Sequence, residues 1–299
     1  MERLIVGPSW LGDAVMMGAL IQRLKSADPD GRITVLTPAH LDDLVTRLPG
    51  VDATLINPFA HGALTLGARA RFGRSLKGRF DAAFVLPHSW KSALVPVFAG
   101  IPRRIGFVGE ARYLVLTDAR PLDEAALPRM VDRFCLLAEP RGAKAPVTSP
   151  IPTLEADPDR SAAALARLGL DGSRGVALCV GAEYGPAKRW PAAHFAALAT
   201  RLEAAGFEPW LIGGPGDAPI GAEVAAQAAA ARDLTGRTSM GEAIDLIAAA
   251  RAVVSNDSGL MHVAAALGRP VVAVYGSTSP AFTPPLSPDA VILSLNVEC

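Results

Sequence analysis

Three polar turns in this sequence carry residue types that do chemistry, and each directly follows a short apolar run. The first is Gly7-Pro8-Ser9-Trp10-Leu11-Gly12-Asp13. A glycine-rich strand-to-helix turn lets a ligand approach the backbone at a helix N-terminus. Its glycine spacing matches neither G-x-G-x-x-G nor a P-loop. Asp13 falls where the helix begins. Two readings stay open for it: a helix-capping carboxylate, or a general base at the carboxyl edge of a sheet.

The second turn is Gly181-Ala182-Glu183-Tyr184-Gly185-Pro186-Ala187-Lys188-Arg189-Trp190-Pro191. It is rich in Gly and Pro and places adjacent cations before a helix. Such a loop suits a diphosphate, with Lys188 as a point charge and Arg189 as a fork of donors. It is also compatible with ordinary solvated charges. The third is Ser255-Asn256-Asp257-Ser258-Gly259-Leu260-Met261-His262. There Ser258 and Gly259 would offer backbone N–H groups to phosphate, assisted by the helix dipole. Asp257 and Ser258 could equally be caps, and His262 a core histidine. A fourth feature is Gly213-Gly214-Pro215-Gly216-Asp217, whose Asp217 could accept from ribose hydroxyls or cap a helix.

The elements that must position these turns alternate short apolar strands with longer helical patterns, the signature of parallel α/β architecture. Strands are expected at 4–6, 33–36, 53–56, 82–86 and 104–107, with a helix over 13–25. The pattern restarts with strands at 176–180, 209–212, 253–255, 271–275 and 291–295. Helices are expected over 192–206, ending in a Gly cap, and over the Ala-rich 222–231. A Pro-rich stretch, 146–152, reads as the linker. The expected domains are therefore 1–148 and 149–299, two halves of similar grammar. In open parallel sheets ligands bind at the carboxyl ends of strands, so the polar turns of both halves point to one cleft.

Several function classes are disfavoured. Lys plus Arg and Asp plus Glu number 29 each, a net charge of zero, and a neutral chain lacks the basic excess of most nucleic-acid binders. The cysteines Cys135, Cys179 and Cys299 are scattered, which argues against a disulfide framework or zinc site and fits a reducing cytosol. The N-terminal apolar run is too short for a signal peptide or spanning helix. Asp28-Pro29-Asp30 and Asp157-Pro158-Asp159 resemble an Asp-x-Asp metal motif but read as turn and capping residues. His40, His61, His88 and His194 show no metal-ligand spacing, so no catalytic metal is expected.

Taken together, these segments resemble the ADP-heptose:lipopolysaccharide heptosyltransferases of glycosyltransferase family 9. Within that family they resemble the type II subgroup, which adds the second inner-core heptose. Besides the turns already quoted, the resemblance runs through His61-Gly62-Ala63-Leu64, Lys91-Ser92-Ala93-Leu94-Val95-Pro96, residues 256–267, Tyr275-Gly276-Ser277-Thr278-Ser279-Pro280 and Phe282-Thr283-Pro284-Pro285. It implies a GT-B fold, two Rossmann-like domains facing across a cleft. It also implies an inverting transfer from ADP-L-glycero-D-manno-heptose to the first heptose of a Kdo-bearing lipid A core at the inner face of the inner membrane.

By the same resemblance, Asp13 is the base and Lys188 binds the departing diphosphate. Gly181, Ala182, Asp217, Asp257, Ser258, Gly259 and His262 face the donor, while Gly12 and Lys91 face the acceptor. No cofactor or metal is implied, and the chain is expected to be cytoplasmic, with peripheral attachment at that inner membrane face left open. Lys91, Arg103, Arg104 and Arg112 are the basic candidates for an anionic core, with solvated surface charge as their default reading. His88 stands where the subgroup leads one to expect Asn. Family members continue past residue 299 with a helix that returns to the first domain, so the C-terminal domain is expected to be incomplete. The alternatives are heptosyltransferase I or another core heptosyltransferase, a GT-B sugar-nucleotide epimerase, and a truncated non-catalytic sugar-nucleotide-binding paralogue.

Overall fold

The structure is a computed structural model that describes residues 1–60, 62–144, 148–183 and 185–295. The sequence readings that fall on His61, Tyr184, Pro146 and Cys299 lie outside the described residues. The chain divides into two compact units, Met1–Pro152 and Thr153–Cys299.

The first unit runs β1 (Glu2–Val6), α1 (Leu11–Ala27), β2 (Arg32–Thr37), α2 (Asp42–Val45), β3 (Ala53–Ile56) and α3 (Leu66–Ser75). It continues through β4 (Ala82–Val85), α4 (Leu94–Phe98), β5 (Arg103–Phe107), β6 (Asp118–Arg120) and α5 (Met130–Leu136). Its six-stranded sheet has the order β3-β2-β1-β4-β5-β6, with every pairing parallel. The second unit runs α6 (Pro158–Leu168), β7 (Gly175–Cys179), α7 (Ala192–Ala204), β8 (Glu208–Ile212), α8 (Ala218–Gln227) and β9 (Arg232–Asp233). It continues through α9 (Met240–Ala249), β10 (Ala252–Asn256), α10 (Gly259–Ala266), β11 (Val271–Tyr275) and β12 (Ala290–Ser294). Its order is β12-β11-β10-β7-β8-β9, again parallel. Counted from its own first strand, each sheet is wound 3-2-1-4-5-6, the Rossmann order.

The strands form where the sequence is apolar on both faces, as a parallel sheet covered by helices demands. Leu4 and Ile5 of β1 and Ala177, Leu178 and Cys179 of β7 are fully buried. Helix starts follow local capping chemistry. Asp157 caps α6 by accepting from Asp159 N and Arg160 N at 3.0 and 3.1 Å, with Pro158 in the first turn. Asp28 closes α1 and pairs with Arg3 at 2.7 Å. Both Asp-Pro-Asp segments therefore have structural roles.

Two readings need correction. The Ala-rich helix expected over 222–231 ends at Gln227, where Ala228 leaves the helical region at φ −136° and ψ 88°. Alanine favours helix, but the chain must turn here so that β9 can pair with Trp210 and Leu211 of β8. The edge strands β6 and β9 carry charged residues and no apolar alternation. Short charged strands are usual at sheet edges, and they leave no periodic signal. The helix expected over 192–206 stops at Ala204. Gly206 follows at φ +86° and donates to Glu203 O at 2.8 Å, the expected glycine terminator.

Candidate active site

In the first unit the strand order reverses at β1 and β4, so the turn leaving β1 lies at the switch point. Gly7 N extends the ladder to Leu36 O at 2.9 Å, and a Cβ on Gly7 would lie 3.2 Å from that oxygen. Helix α1 then begins after Trp10, which contributes no side-chain cap. Asp13 occupies its first turn beside Gly12, and both are half-buried. Among the described residues nothing donates a hydrogen bond to the Asp13 carboxylate and no cation pairs with it. Burial alone moves its pKa, up to about 6. The capping reading therefore lacks its hydrogen bond, and the carboxylate keeps the proton affinity a base needs.

The basic candidates of this unit divide sharply. Arg112 is completely buried and donates to Pro87 O at 2.6 Å and to Phe107 O, with its pKa pulled down to about 10 by burial. Arg104 donates to Val115 O and Ile101 O at 2.7 and 2.6 Å. The solvated-charge reading is thus wrong for Arg112, which holds two strand-end loops together because their carbonyls need donors. Lys91 is half-buried in the 3₁₀ turn Trp90–Ala93, and its carbonyl accepts from Arg69 at 3.3 Å. Arg103 is exposed at the start of β5. The His88 pKa is lowered by partial desolvation and by nearby Arg112 and Arg133.

In the second unit the order reverses at β7 and β10, and the loops leaving these strands meet. Lys188 Nζ reaches Asp257 Oδ2 at 2.8 Å, and Asp257 is only 4% exposed. Thr278 Oγ1 donates to the same oxygen. Asn256, fully buried, donates to Val180 O and Gly181 O at 2.8 and 3.2 Å and accepts from Trp190 N at 2.8 Å. It therefore ties both ends of the Lys188 loop to β10. Ser258 precedes α10 with no side-chain cap bond, leaving its first amides, including Gly259, without a side-chain acceptor from that position. His262, one turn in, is buried, and desolvation lowers its pKa to about 4. Across neutral pH it is an uncharged imidazole.

After β8, Asp217 Oδ2 accepts from Gly214 N at 3.0 Å, and Arg189 Nη2 lies 3.9 Å from Oδ1. A Cβ on Gly181 would fall 2.2 Å from Asp217 Oδ2, so glycine is required there for the carboxylate to pack. Buried Ala182 follows. The fold thus brings Gly181, Ala182, Lys188, Asp217, Asp257, Ser258, Gly259 and His262 to one carboxyl edge of one sheet. Asn256 and Thr278 were not singled out by the sequence analysis. An amide ending an apolar strand is a signal, but its partners on another loop are legible only in the fold.

The sequence profile of glycosyltransferase family 9 (heptosyltransferase) matches residues 69–299. The chain belongs to that family. It is 45% identical over 307 aligned residues to lipopolysaccharide heptosyltransferase 2 of Salmonella typhimurium, covering 99% of this chain and 88% of that protein. It is 44% identical over 311 aligned residues to lipooligosaccharide heptosyltransferase 2 of Haemophilus influenzae, covering 99% and 89%. Among solved structures, ADP-heptose LPS heptosyltransferase II of E. coli superposes with a TM-score of 0.92 at 43% identity, covering 98% of this chain and 90% of that one. The chain is a glycosyltransferase with the GT-B heptosyltransferase fold. Among the described residues no group of three or more His, Cys, Asp and Glu could hold a metal ion, and no helix is long and apolar enough to cross a membrane.

Proposed function

We propose that this glycosyltransferase moves L-glycero-D-manno-heptose from ADP-heptose to the first heptose of the lipopolysaccharide inner core, with inversion at the anomeric carbon. The observation that carries the donor half is the Lys188–Asp257 ion pair beside the α10 N-terminus, at the switch point of the second unit's sheet. Asp257 holds the ammonium where a diphosphate on the α10 amides would meet it. Asp217 faces the ribose, and the neutral His262 gives α10 a firm buried base. Gly181 and Ala182 keep the wall of the loop close to the ligand.

The reaction breaks the bond from the anomeric carbon to the diphosphate oxygen and forms one to an acceptor hydroxyl oxygen. Negative charge grows on the departing ADP, where Lys188 and the backbone N–H groups bind the transition state more strongly than the ground state. The acceptor hydroxyl proton passes to Asp13, whose raised pKa makes it a stronger base than an exposed aspartate. Gly12 leaves room for the acceptor and Lys91 faces its anionic groups. Cations and amides supply the positive charge, so the reading calls for no metal. The acceptor is lipid-anchored, which places the protein in the cytoplasm at the inner face of the inner membrane.

The test is heptose transfer from ADP-heptose to a lipid A core carrying one heptose, beside a heptose-free core. Transfer to the first acceptor alone is expected. Transfer to the heptose-free core would reassign the chain to the type I reaction, and transfer to neither would remove the catalytic reading.

A further inference from the structure

Between Asp52 and Asp81 the sequence has no acidic residue, yet it carries Arg69, Arg71, Arg74, Lys77 and Arg79. In a chain of zero net charge this is a concentrated positive segment. Arg69 is the internal member. It is 6% exposed, donates to Leu64 O at 2.7 Å and Ala63 O at 2.9 Å, and lies 4.3 Å over the Phe59 ring. The other four point to solvent, and among the described residues none of them forms an ion pair. Elsewhere in the same unit several cations are matched, as in Arg3–Asp28, Lys25–Asp52 and Arg120–Asp118.

Beside these charges lies an open apolar groove of about 600 Å³, lined by Phe59, Ala60, Ala63, Ala68, Arg71 and Phe72 among others. Leu64 and Leu66, 46% and 49% exposed, stand at its approach. Between them Thr65 sits at φ +37°, a left-handed conformation unfavourable for a β-branched residue. The mounting is rigid. Gly73 lets α3 pack so closely on α4 that a Cβ would fall 2.6 Å from Phe98 Cβ and 2.8 Å from Val95 O. Phe59 and Phe72 meet edge to face at 5.8 Å. Exposed leucines held in a strained turn above a fixed cationic helix are the ingredients of an interfacial anchor.

We propose that α3, with Leu64 before it and Lys77 and Arg79 after it, forms the surface by which this protein docks on an anionic phospholipid membrane, with Leu64 and Leu66 entering the headgroup boundary and Arg71, Arg74, Lys77 and Arg79 meeting lipid phosphates. The charge selects the occupant: a second copy would bring cations against cations, whereas an anionic bilayer supplies the missing counter-charge. The proposal rests on the reading above, in which the acceptor is lipid-anchored, and it names the face that reaches it.

The experiment is flotation of the full chain with phosphatidylethanolamine–phosphatidylglycerol vesicles and with phosphatidylcholine vesicles, for the natural chain and for Arg71→Gln/Arg74→Gln/Lys77→Gln. The natural chain should bind the anionic vesicles selectively and be released by salt. The triple variant should bind on the order of a hundredfold more weakly, each cation contributing roughly fivefold. Its thermal midpoint and its transfer to a water-soluble, deacylated acceptor should be unchanged. Leu64→Ser/Leu66→Ser should weaken binding several-fold while preserving the salt response. Equal flotation of natural and triple-variant proteins would overturn the proposal, as would no flotation of the natural chain. A dimer in sedimentation velocity that the triple variant abolishes would instead assign the face to self-association. Flotation lost in the variant, with no transfer by any form to any acceptor, would keep this surface and discard the catalytic reading.

Discussion

Asp13 and Asp257 each follow one strand of the innermost pair of a Rossmann-ordered sheet, Asp13 the first strand of its unit and Asp257 the fourth of the other, and each lies beside a helix start. Their surroundings are opposite. Asp257 is almost fully buried, yet it is held by the Lys188 ammonium and the Thr278 hydroxyl. Asp13 is less buried and, among the described residues, has neither an ion pair nor a hydrogen bond to its carboxylate, so its pKa rises to about 6. A carboxylate with a cation at 2.8 Å is a fixed anchor, whereas one desolvated without a partner has the raised proton affinity that the proposed base role requires. Two carboxylates at switch-point turns therefore differ in their surroundings, decided by what other loops bring to them.

The sharpest way to break this comparison is at Asp13. Asp13→Ala and Asp13→Asn are expected to lower the transfer rate by on the order of 10²- to 10⁴-fold. ADP binding by calorimetry should be retained. In the natural enzyme the rate should fall as pH drops through about 6, because the protonated carboxyl cannot accept the acceptor's proton. An unchanged rate in either variant would remove Asp13 from the mechanism.

The second intervention removes the partner that Asp13 lacks. Lys188→Ala leaves Asp257 buried and unpaired, and chemical denaturation should show a loss of roughly 3 kcal/mol, the low end for a broken buried pair because Lys188 is 22% exposed. Lys188→Met with Asp257→Asn should recover most of that stability and none of the transfer. If Lys188→Ala transferred heptose normally, the ion pair would be structural only.

Smaller is the acid sensitivity of the second unit. The His262 pKa is lowered from 6.5 to about 4, chiefly by burial, with Asp257 opposing and Lys188 reinforcing the shift. The unfolded chain binds this proton more readily than the folded one. Stability is therefore complete above pH 6.5 and declines as pH falls toward about 4, by at most roughly 3 kcal/mol. Replacement by Gln should flatten this limb in denaturation curves recorded across that window. A slope identical to that of the natural protein would show that other groups produce it.

The smallest effect has the opposite sign. Deprotonated Asp13 in its desolvated site opposes folding, a penalty absent below pH 3.8 and complete above about 6. Asp13→Asn should therefore stabilise the inactive protein by roughly 1–3 kcal/mol above pH 6, the usual trade between stability and a strained site. A destabilised Asp13→Asn would mean that the carboxylate holds the α1 terminus after all.

Much of this was legible in the residues. Apolar runs such as 33–36 and 176–180 give parallel strands because side chains buried on both faces leave no room for polar alternation. Gly and Asp at strand-to-helix junctions mark carboxyl-edge turns, so the positions of Asp13, Lys188 and Asp257 on such turns followed from local grammar. Sequence could not give the partners. Asn256 fastening Val180, Gly181 and Trp190, Arg112 disappearing into the core, and Asp217 packing against Gly181 all join residues far apart in the chain. Burial and pairing are products of that juxtaposition, and they set proton affinity. The sequence alone determined which residues stand at the strand ends, because backbone periodicity is local. Only the tertiary structure decided which carboxylate is neutralised and which is left basic, because desolvation and Coulomb attraction act through space rather than along the chain.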